Sequence, residues 1–341
     1  KKVISINPNL ESAYINLGFI SKENNKYEDA FRYFKYSIKI NPQNPLPYFH
    51  MGLLSQNKGD FTDAIQNYKK AVKLNPNFFE SYCNLGNSFR AIGNYKESID
   101  NYNYALKLNK DNPYVHYNLG VVLFDNNDLQ ASIKSYKNAI TINPNYFEAY
   151  CNLGNCYQKT GNLFLAIDAY LKTFKINPNY DLNYINIGLC LKDISLLQPI
   201  EDIEKILIKI LKFKKYVPAK YIVRAVISVI KFDKSFYNLI NDNDLKKYNV
   251  NYVLEKITKN FLLVELMKSC TIPDPKIENF LLKVRFIILK NLLKLENNDQ
   301  ALEFTRALAI QCFLNEYIYV ENSLETQSIL NIEKSIKQTF D

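Results

Sequence analysis

Glycine is scarce in this chain and stops early: there are nine in 341 residues, and the last is Gly188. A glycine-rich loop that lets the backbone close on a nucleotide cofactor cannot be built without it. No cofactor is therefore expected for the residues present. Histidine is scarcer still, at His50 and His116. That leaves no His ligand set for a metal, and no imidazole base for a nucleophile later in the chain. Neither a metal site nor a catalytic residue is assigned. The six cysteines (Cys83, Cys151, Cys156, Cys190, Cys270, Cys312) include no CxxC pair. They read as reduced packing residues of a cytoplasmic protein. No apolar run approaches the roughly 18 residues a membrane helix needs. The opening KKVISINPNL has no long apolar segment of the secretory kind, so no signal is expected there. No strand pattern stands out, and the net charge of +9 is modest for the length.

What the chain does have is one pattern at a fixed interval. The stretch FEAYCNLGNCYQKTGNLFLAIDAYLKTFKINPNY, residues 147–180, reads as two helices. Tyr150, Leu153, Cys156 and Tyr157 recur at helical spacing, and Gly161-Asn162 ends the first helix. Leu163, Ala166, Ile167, Tyr170 and Phe174 share a face of the second, which Asn177-Pro178 stops. Gly154 and Ala166 are small residues that would let the two backbones approach. The glycine returns as Gly18, Gly52, Gly86, Gly120, Gly154 and Gly188, each 34 residues after the last. In step with it run a large residue (Tyr14, Tyr48, Tyr82, His116, Tyr150, Tyr184) and a small one (Ala30, Ala64, Ser98, Ser132, Ala166). An aromatic follows at Phe34, Tyr68, Tyr102, Tyr136 and Tyr170.

A unit of this length and order resembles the tetratricopeptide repeat. The resemblance implies an all-α, right-handed solenoid whose first helices line a concave groove. Five repeats are expected at 11–44, 45–78, 79–112, 113–146 and 147–180. Residues 1–10 read as the end of a truncated preceding repeat, so the sequence is expected to be a piece of a longer protein. Residues 181–215 read as a degenerate sixth repeat or cap, because Ile200 and Glu204 stand where the small and aromatic residues belong. Residues 216–341 read as an irregular helical extension. Its helices are expected over 217–231, 250–269, 275–295, 299–320 and 323–339. Tyr and Phe fall at core positions of the repeat, so stacking platforms for nucleic acid are not expected, and neither is that partner.

Immediately before each Leu-Gly stands a second column: Asn16, His50, Asn84, Asn118, Asn152 and Asn186. It resembles the asparagine ladder of the O-linked N-acetylglucosamine transferases, which implies amides that hold a peptide backbone. An amide carries both donor and acceptor and can pair with any peptide group. The other reading is that each Asn bonds the neighbouring repeat or was copied by duplication. Asn87, Asn155, Arg90 and Lys159 lie near the column and could add polar contacts. A two-carboxylate clamp like that of heat-shock-protein-binding relatives is not complete, since Phe19, Leu53 and Val121 interrupt the polar track and Lys22 and Arg90 stand apart.

Beyond Leu196 the chain turns apolar and basic, with Lys205, Lys209, Lys212, Lys214, Lys215, Lys220, Arg224, Lys231 and Lys234. A helix with a solvated Lys face is expected over a membrane-surface helix. The last part, carried by Glu278, Leu281, Arg285, Ala307, Leu308, Ala309, Gln311, Cys312, Phe313, Asn315, Glu316, Tyr317 and Glu325, resembles the segment before the catalytic domain of bacterial tetratricopeptide-repeat methyltransferases. That implies a following S-adenosylmethionine domain after Asp341, which these residues do not contain. Cys312, at helical spacing from Leu308, reads as core. The expected function is an interaction module that seats an extended peptide or protein segment in the groove. The alternative is the substrate-recruiting front of a methyltransferase or, less favoured, of a glycosyltransferase.

Overall fold

The structure, a computed structural model, describes residues 6–213, 216–242, 244–291 and 299–314. Two compact units divide the chain, residues 1–165 and 166–341. Among the described residues every regular element is helical.

The first unit repeats one helical hairpin. Its helices are α1 (Glu11–Glu23), α2 (Tyr27–Ile40), α3 (Pro45–Asn57), α4 (Phe61–Leu74), α5 (Phe79–Ala91), α6 (Tyr95–Leu108), α7 (Pro113–Asp125), α8 (Leu129–Ile142) and α9 (Phe147–Lys159). Each starts one full period after its counterpart in the hairpin before. Local chemistry sets the ends. Asn44 and Asn112 accept backbone N–H groups at the starts of α3 and α7, with proline next in line. Asp60 and Asp128 cap α4 and α8 in the same way. The turn after each first helix needs a left-handed residue. Gly59, Gly93 and Gly161 supply it at φ of 77–82°, and Asn25 and Asn127 supply it in the other two hairpins at φ 58° and 62°. Each helix packs on the next, and α7 also touches α5 and α9, which is the stacking of a tetratricopeptide-repeat solenoid.

The mid-helix glycines make room for rings more than for backbone. A Cβ on Gly18 would run into the Phe34 ring; on Gly52, Gly86 and Gly120 it would lie 2.6–2.7 Å from Tyr68, Tyr102 and Tyr136. Those four aromatics are essentially fully buried, as are Ala30, Ala64, Ser98 and Ser132. Where the small residue is Ser, its hydroxyl also donates to the glycine carbonyl, Ser98 to Gly86 and Ser132 to Gly120, both at 2.7 Å. The aromatic closing over the glycine, rather than a facing backbone, is what demands the missing side chain.

The second unit takes in most of α10 (Leu163–Ile176) and then loses the period. α11 (Leu182–Cys190) is nine residues where a first helix elsewhere has 13. Gly188 still receives a side chain, with Val217 Cγ2 2.5 Å from a Cβ built there. There follow α12 (Ile203–Lys212), α13 (Ala219–Phe232), α14 (Lys234–Asn241), a 3-10 turn at Leu245–Lys247, α15 (Val250–Thr258), α16 (Phe261–Ser269), α17 (Pro275–Asn291) and α18 (Asp299–Leu314). Apolar on most of its surface, α16 buries Leu262, Leu263, Val264, Leu266 and Met267 and packs against α12, α13 and α18. The Lys231–Asp274 and Lys268–Glu303 pairs tie distant segments of this unit.

Three expectations need correction. The helix expected over 250–269 is two, because Asn260 caps a new start by accepting the Leu263 N–H at 2.9 Å. A separate α14 follows Asp233, whose carboxylate accepts the N–H groups of Ser235 and Phe236. The aromatics are not confined to the core: Tyr27, Tyr36, Tyr104 and Tyr114 are exposed. On α12, Ile203, Ile206, Leu207, Ile210 and Leu211 are buried and Lys205 and Lys212 are exposed, while Lys209 is half-buried with its ammonium 4.6 Å from the Tyr184 ring centroid. Cys83, Cys151, Cys156 and Cys190 are buried and Cys270 is half-buried, and none of the five is in a disulfide. Burial pushes the Cys83 thiol up to about 12 and those of Cys190 and Cys270 up to about 11. The expectations for residues 1–5, Lys214, Lys215, the Cys312 and Phe313 side chains, Asn315, Glu316, Tyr317, Glu325 and a helix over 323–339 lie outside the described residues.

Candidate functional site

First helices of successive repeats carry the predicted column. Asn118, Asn152 and Asn155 come together with Arg90 around a cavity of about 480 Å³. They project from α5, α7 and α9, so the site spans three repeats of the first unit. α7 supplies the centre, with Tyr117, Asn118, Val121, Phe124 and Asp125 lining the cavity, and Tyr136 reaches it from α8. Asn118, Val121 and Asp125 share one helical stripe at spacings of three and four.

The amides are already in use on one side. Asn118 Nδ2 donates to the Tyr114 carbonyl one turn back at 2.9 Å, leaving its oxygen free to accept. Asn152 Nδ2 donates to the Tyr117 hydroxyl of the preceding repeat at 3.1 Å, and Asn155 donates to Asn152 Oδ1 at 3.4 Å. Asn87 accepts from the Tyr102 hydroxyl at 2.6 Å and donates to Tyr114 at 3.4 Å. Asn84 is half-buried and has no hydrogen-bond partner among the described residues. Asn16 is exposed near the start of the column. Asn186 is half-buried on α11 in the second unit.

His50 behaves differently. Its ring lies 4.5 Å from Phe19, 5.0 Å from Phe49 and 5.4 Å from Phe34, centroid to centroid. Nδ1 is buried without a partner among the described residues. Burial, helped by the Lys22 charge, pushes its pKa down to about 4, so the ring is neutral near pH 7.

Two charged residues are more tied than their spacing suggested. Arg90 is not isolated: its Nε meets Asp125 Oδ2 at 2.6 Å, from one repeat to the next. Lys159 is exposed but rests its ammonium 4.8 Å from the Phe124 ring centroid. Sequence reasoning missed Tyr117, Phe124 and Asp125 as lining residues. A signal was available, since they lie on the same first-helix turns as Asn118 and Val121. Missed too was Gln56 on α3, whose Oε1 accepts from the Tyr68 hydroxyl at 2.8 Å.

With that geometry in hand, comparison with known proteins identifies the repeats. Residues 57–89, 86–127 and 122–161 match the TPR repeat family, and residues 11–44 and 147–180 match the tetratricopeptide repeat. The chain therefore carries tetratricopeptide repeats over these residues, which make up a protein-interaction module within it. No curated protein matches the chain. Among solved structures it is similar to a MamA protein at 26% identity, over 49% of this chain and 92% of that one, with a TM-score of 0.48. It is also similar to MamA 41-end from Desulfovibrio magneticus RS-1 at 22% identity, over 50% and 97%, TM-score 0.48. A third is YrrB, described as a TPR protein with an unusual peptide-binding site, at 19% identity over 53% and 94%, TM-score 0.49. At these scores none of the three says what this chain binds.

Proposed function

We propose that the first unit seats an extended segment of another protein along its first helices, with the cavity between α5, α7 and α9 as the centre of the site. The observation that carries this is the convergence of Asn118, Asn152, Asn155 and the Arg90–Asp125 pair on one cavity open to a ligand. Amides read main chain whatever the side chains, so affinity comes without strict sequence choice. Phe124 and Val121 give a ligand side chain apolar surface beside them. An Asn118→Ala, Asn152→Ala double variant removes two amides, each worth about 0.5–1.5 kcal/mol as a net hydrogen bond. Binding to a peptide selected from an unstructured library is expected to weaken by roughly tenfold. Tm should fall little, since Asn118 and Asn155 bond within their own helices and Asn152 gives one hydrogen bond across repeats, to Tyr117. If wild type selects no peptide, or the Tm loss alone accounts for the weaker binding, the reading fails. A second reading, the substrate-recruiting front of an S-adenosylmethionine methyltransferase, rests on the resemblance of residues 273–329. The coding sequence after Asp341 tests it, and a glycine-rich loop following a strand is the expected result.

A further inference from the structure

The rings that close over the helix glycines mostly end in hydroxyls, and two of those hydroxyls hold groove amides by their oxygens. Tyr68 donates to Gln56 Oε1 at 2.8 Å, and Ser88 of the next repeat donates to the same oxygen at 3.5 Å. Tyr102 donates to Asn87 Oδ1 at 2.6 Å. With each oxygen held from the core side, the amide nitrogens are left for a ligand. Gln56 Nε2 donates to no group among the described residues, and Asn87 Nδ2 gives one N–H to Tyr114 and keeps the other. Asn118 differs: its oxygen is not held, and its nitrogen gives one of its two N–H groups to its own helix.

The first repeat supplies an internal control. Its aromatic, Phe34, has no hydroxyl, and Phe19 and Lys22 occupy the positions that Asn87 and Gln56 hold in their repeats. Hydroxyl and amide are present together in the second and third repeats and missing together in the first. In the fourth, Val121 and Phe124 stand at those positions, and Tyr136 lines a cavity with Asn152 of the next repeat instead. Phe34 also packs on Gly18 as the tyrosines pack on their glycines, so the ring alone is sufficient for the fold. The hydroxyl is surplus to packing.

We propose that Tyr68 and Tyr102 are positioning residues of the groove, which fix Gln56 and Asn87 as donors to backbone carbonyls of an extended ligand. Asn118 then accepts a ligand N–H. Helices packed side by side lie about 8–10 Å apart, and an extended chain rises about 3.3 Å per residue. Amides on successive first helices therefore address roughly every third peptide group, and α3, α5 and α7, two spacings in all, together span a ligand of about seven residues. The ligand class is an extended segment read through its main chain. Burial raises the ionisation of both tyrosines well above the ordinary phenol range, so they remain donors at any pH the fold survives.

This inference rests on the groove reading above, and its test separates the two. A selected peptide of about seven residues is titrated against wild type, Tyr68→Phe, Tyr102→Phe, Gln56→Ala and the Tyr68→Phe, Gln56→Ala pair. Each Tyr→Phe variant is expected to weaken Kd by about two- to tenfold with Tm nearly unchanged, as one hydrogen bond's worth implies. The double variant should be no weaker than Gln56→Ala alone, because the hydroxyl acts only through that amide. A merely structural tyrosine would give multiplied losses or a Tm shift that tracks Kd. Either of those, or unchanged Kd in both Phe variants while the Asn118, Asn152 double variant still loses affinity, overturns this proposal and leaves the groove reading standing. Failure of wild type to select a peptide overturns both.

Discussion

The two units solve the same packing problem differently. In the first, a glycine on each first helix meets the aromatic of its own hairpin's second helix, and the arrangement returns with every repeat from Gly18–Phe34 to Gly120–Tyr136. In the second, Gly188 keeps its place in the period, but its partner is Val217, which lies just before a helix two further along the chain. Helix lengths follow suit. Those of the first unit alternate between 13 and 14, whereas those after Gly188 range from eight to 17. A repeated address makes a surface on which like positions line up, and amides placed once per repeat become a column. An irregular packing makes a core, here around α16, but no such column. Experiments at the exceptions put that contrast to the test.

His50 is the exception with the largest expected effect, because it sits at a column address yet is enclosed by Phe19, Phe34 and Phe49. Its folded pKa of about 4 lies below the unfolded value near 6.5. A depressed His pKa means the folded state favours the neutral ring. Its stability contribution is whole above about pH 6.5 and is lost as pH falls toward 4. The difference amounts to roughly 2–4 kcal/mol. His50→Asn, which restores the residue found elsewhere in the column, should flatten that part of the acid dependence. Urea midpoints of both proteins between about pH 7.5 and 4.5 check it, and equal slopes would show that the aromatic surroundings do not penalise the cation.

Next is the glycine pair itself. Gly86→Ala pushes a methyl into the Tyr102 ring, which is fully buried and held at its hydroxyl by Asn87. Overpacking of this kind costs about 1–3 kcal/mol, and better helix propensity returns up to about 1 kcal/mol. Gly188→Ala meets Val217 at Cγ2, 2.5 Å, and at Cβ, 3.1 Å, but Val217 lies before a helix rather than within one, so the whole residue can shift. By urea unfolding the periodic site is expected to lose roughly 1–2 kcal/mol, the balance of those two effects, and the aperiodic site less than half of that. Similar losses would mean that Val217 is as rigidly placed as the ring.

Most of the first unit was legible because its packing partners are local and repeat. The boundaries of α9 and α10 agree with the sequence reading to within a residue, and the stop at Asn177-Pro178 holds. The second unit was legible as helical but not in its breaks. Partners there come from far along the chain, as with Lys231 and Asp274, and no period announces them. At the candidate site, spacing placed Asn118, Asn152 and Asn155 near one another. It did not reveal which way each amide is turned, because that depends on tyrosine hydroxyls arriving from other helices. Nor did it reveal that Arg90 is paired, since Asp125 lies on another repeat's first helix.

The smallest of these effects tests whether the second unit's helix breaks are set locally, as the first unit's are. The chain from 250 to 269 has the apolar periodicity of one helix, yet it divides at Lys259-Asn260. Asn260 accepts the Leu263 N–H, and that cap is the local reason for the new start. Residues on either side are buried, Ile257 before the break and Leu262 and Leu263 after it. Asn260→Ala removes the cap and offers a good helix former at the break. If the cap decides the division, stability should fall by about 1 kcal/mol and helical CD signal should rise as the two helices join. If packing around α16 decides it, the same loss should come with no gain in helix, and only the periodic unit would take its boundaries from its caps.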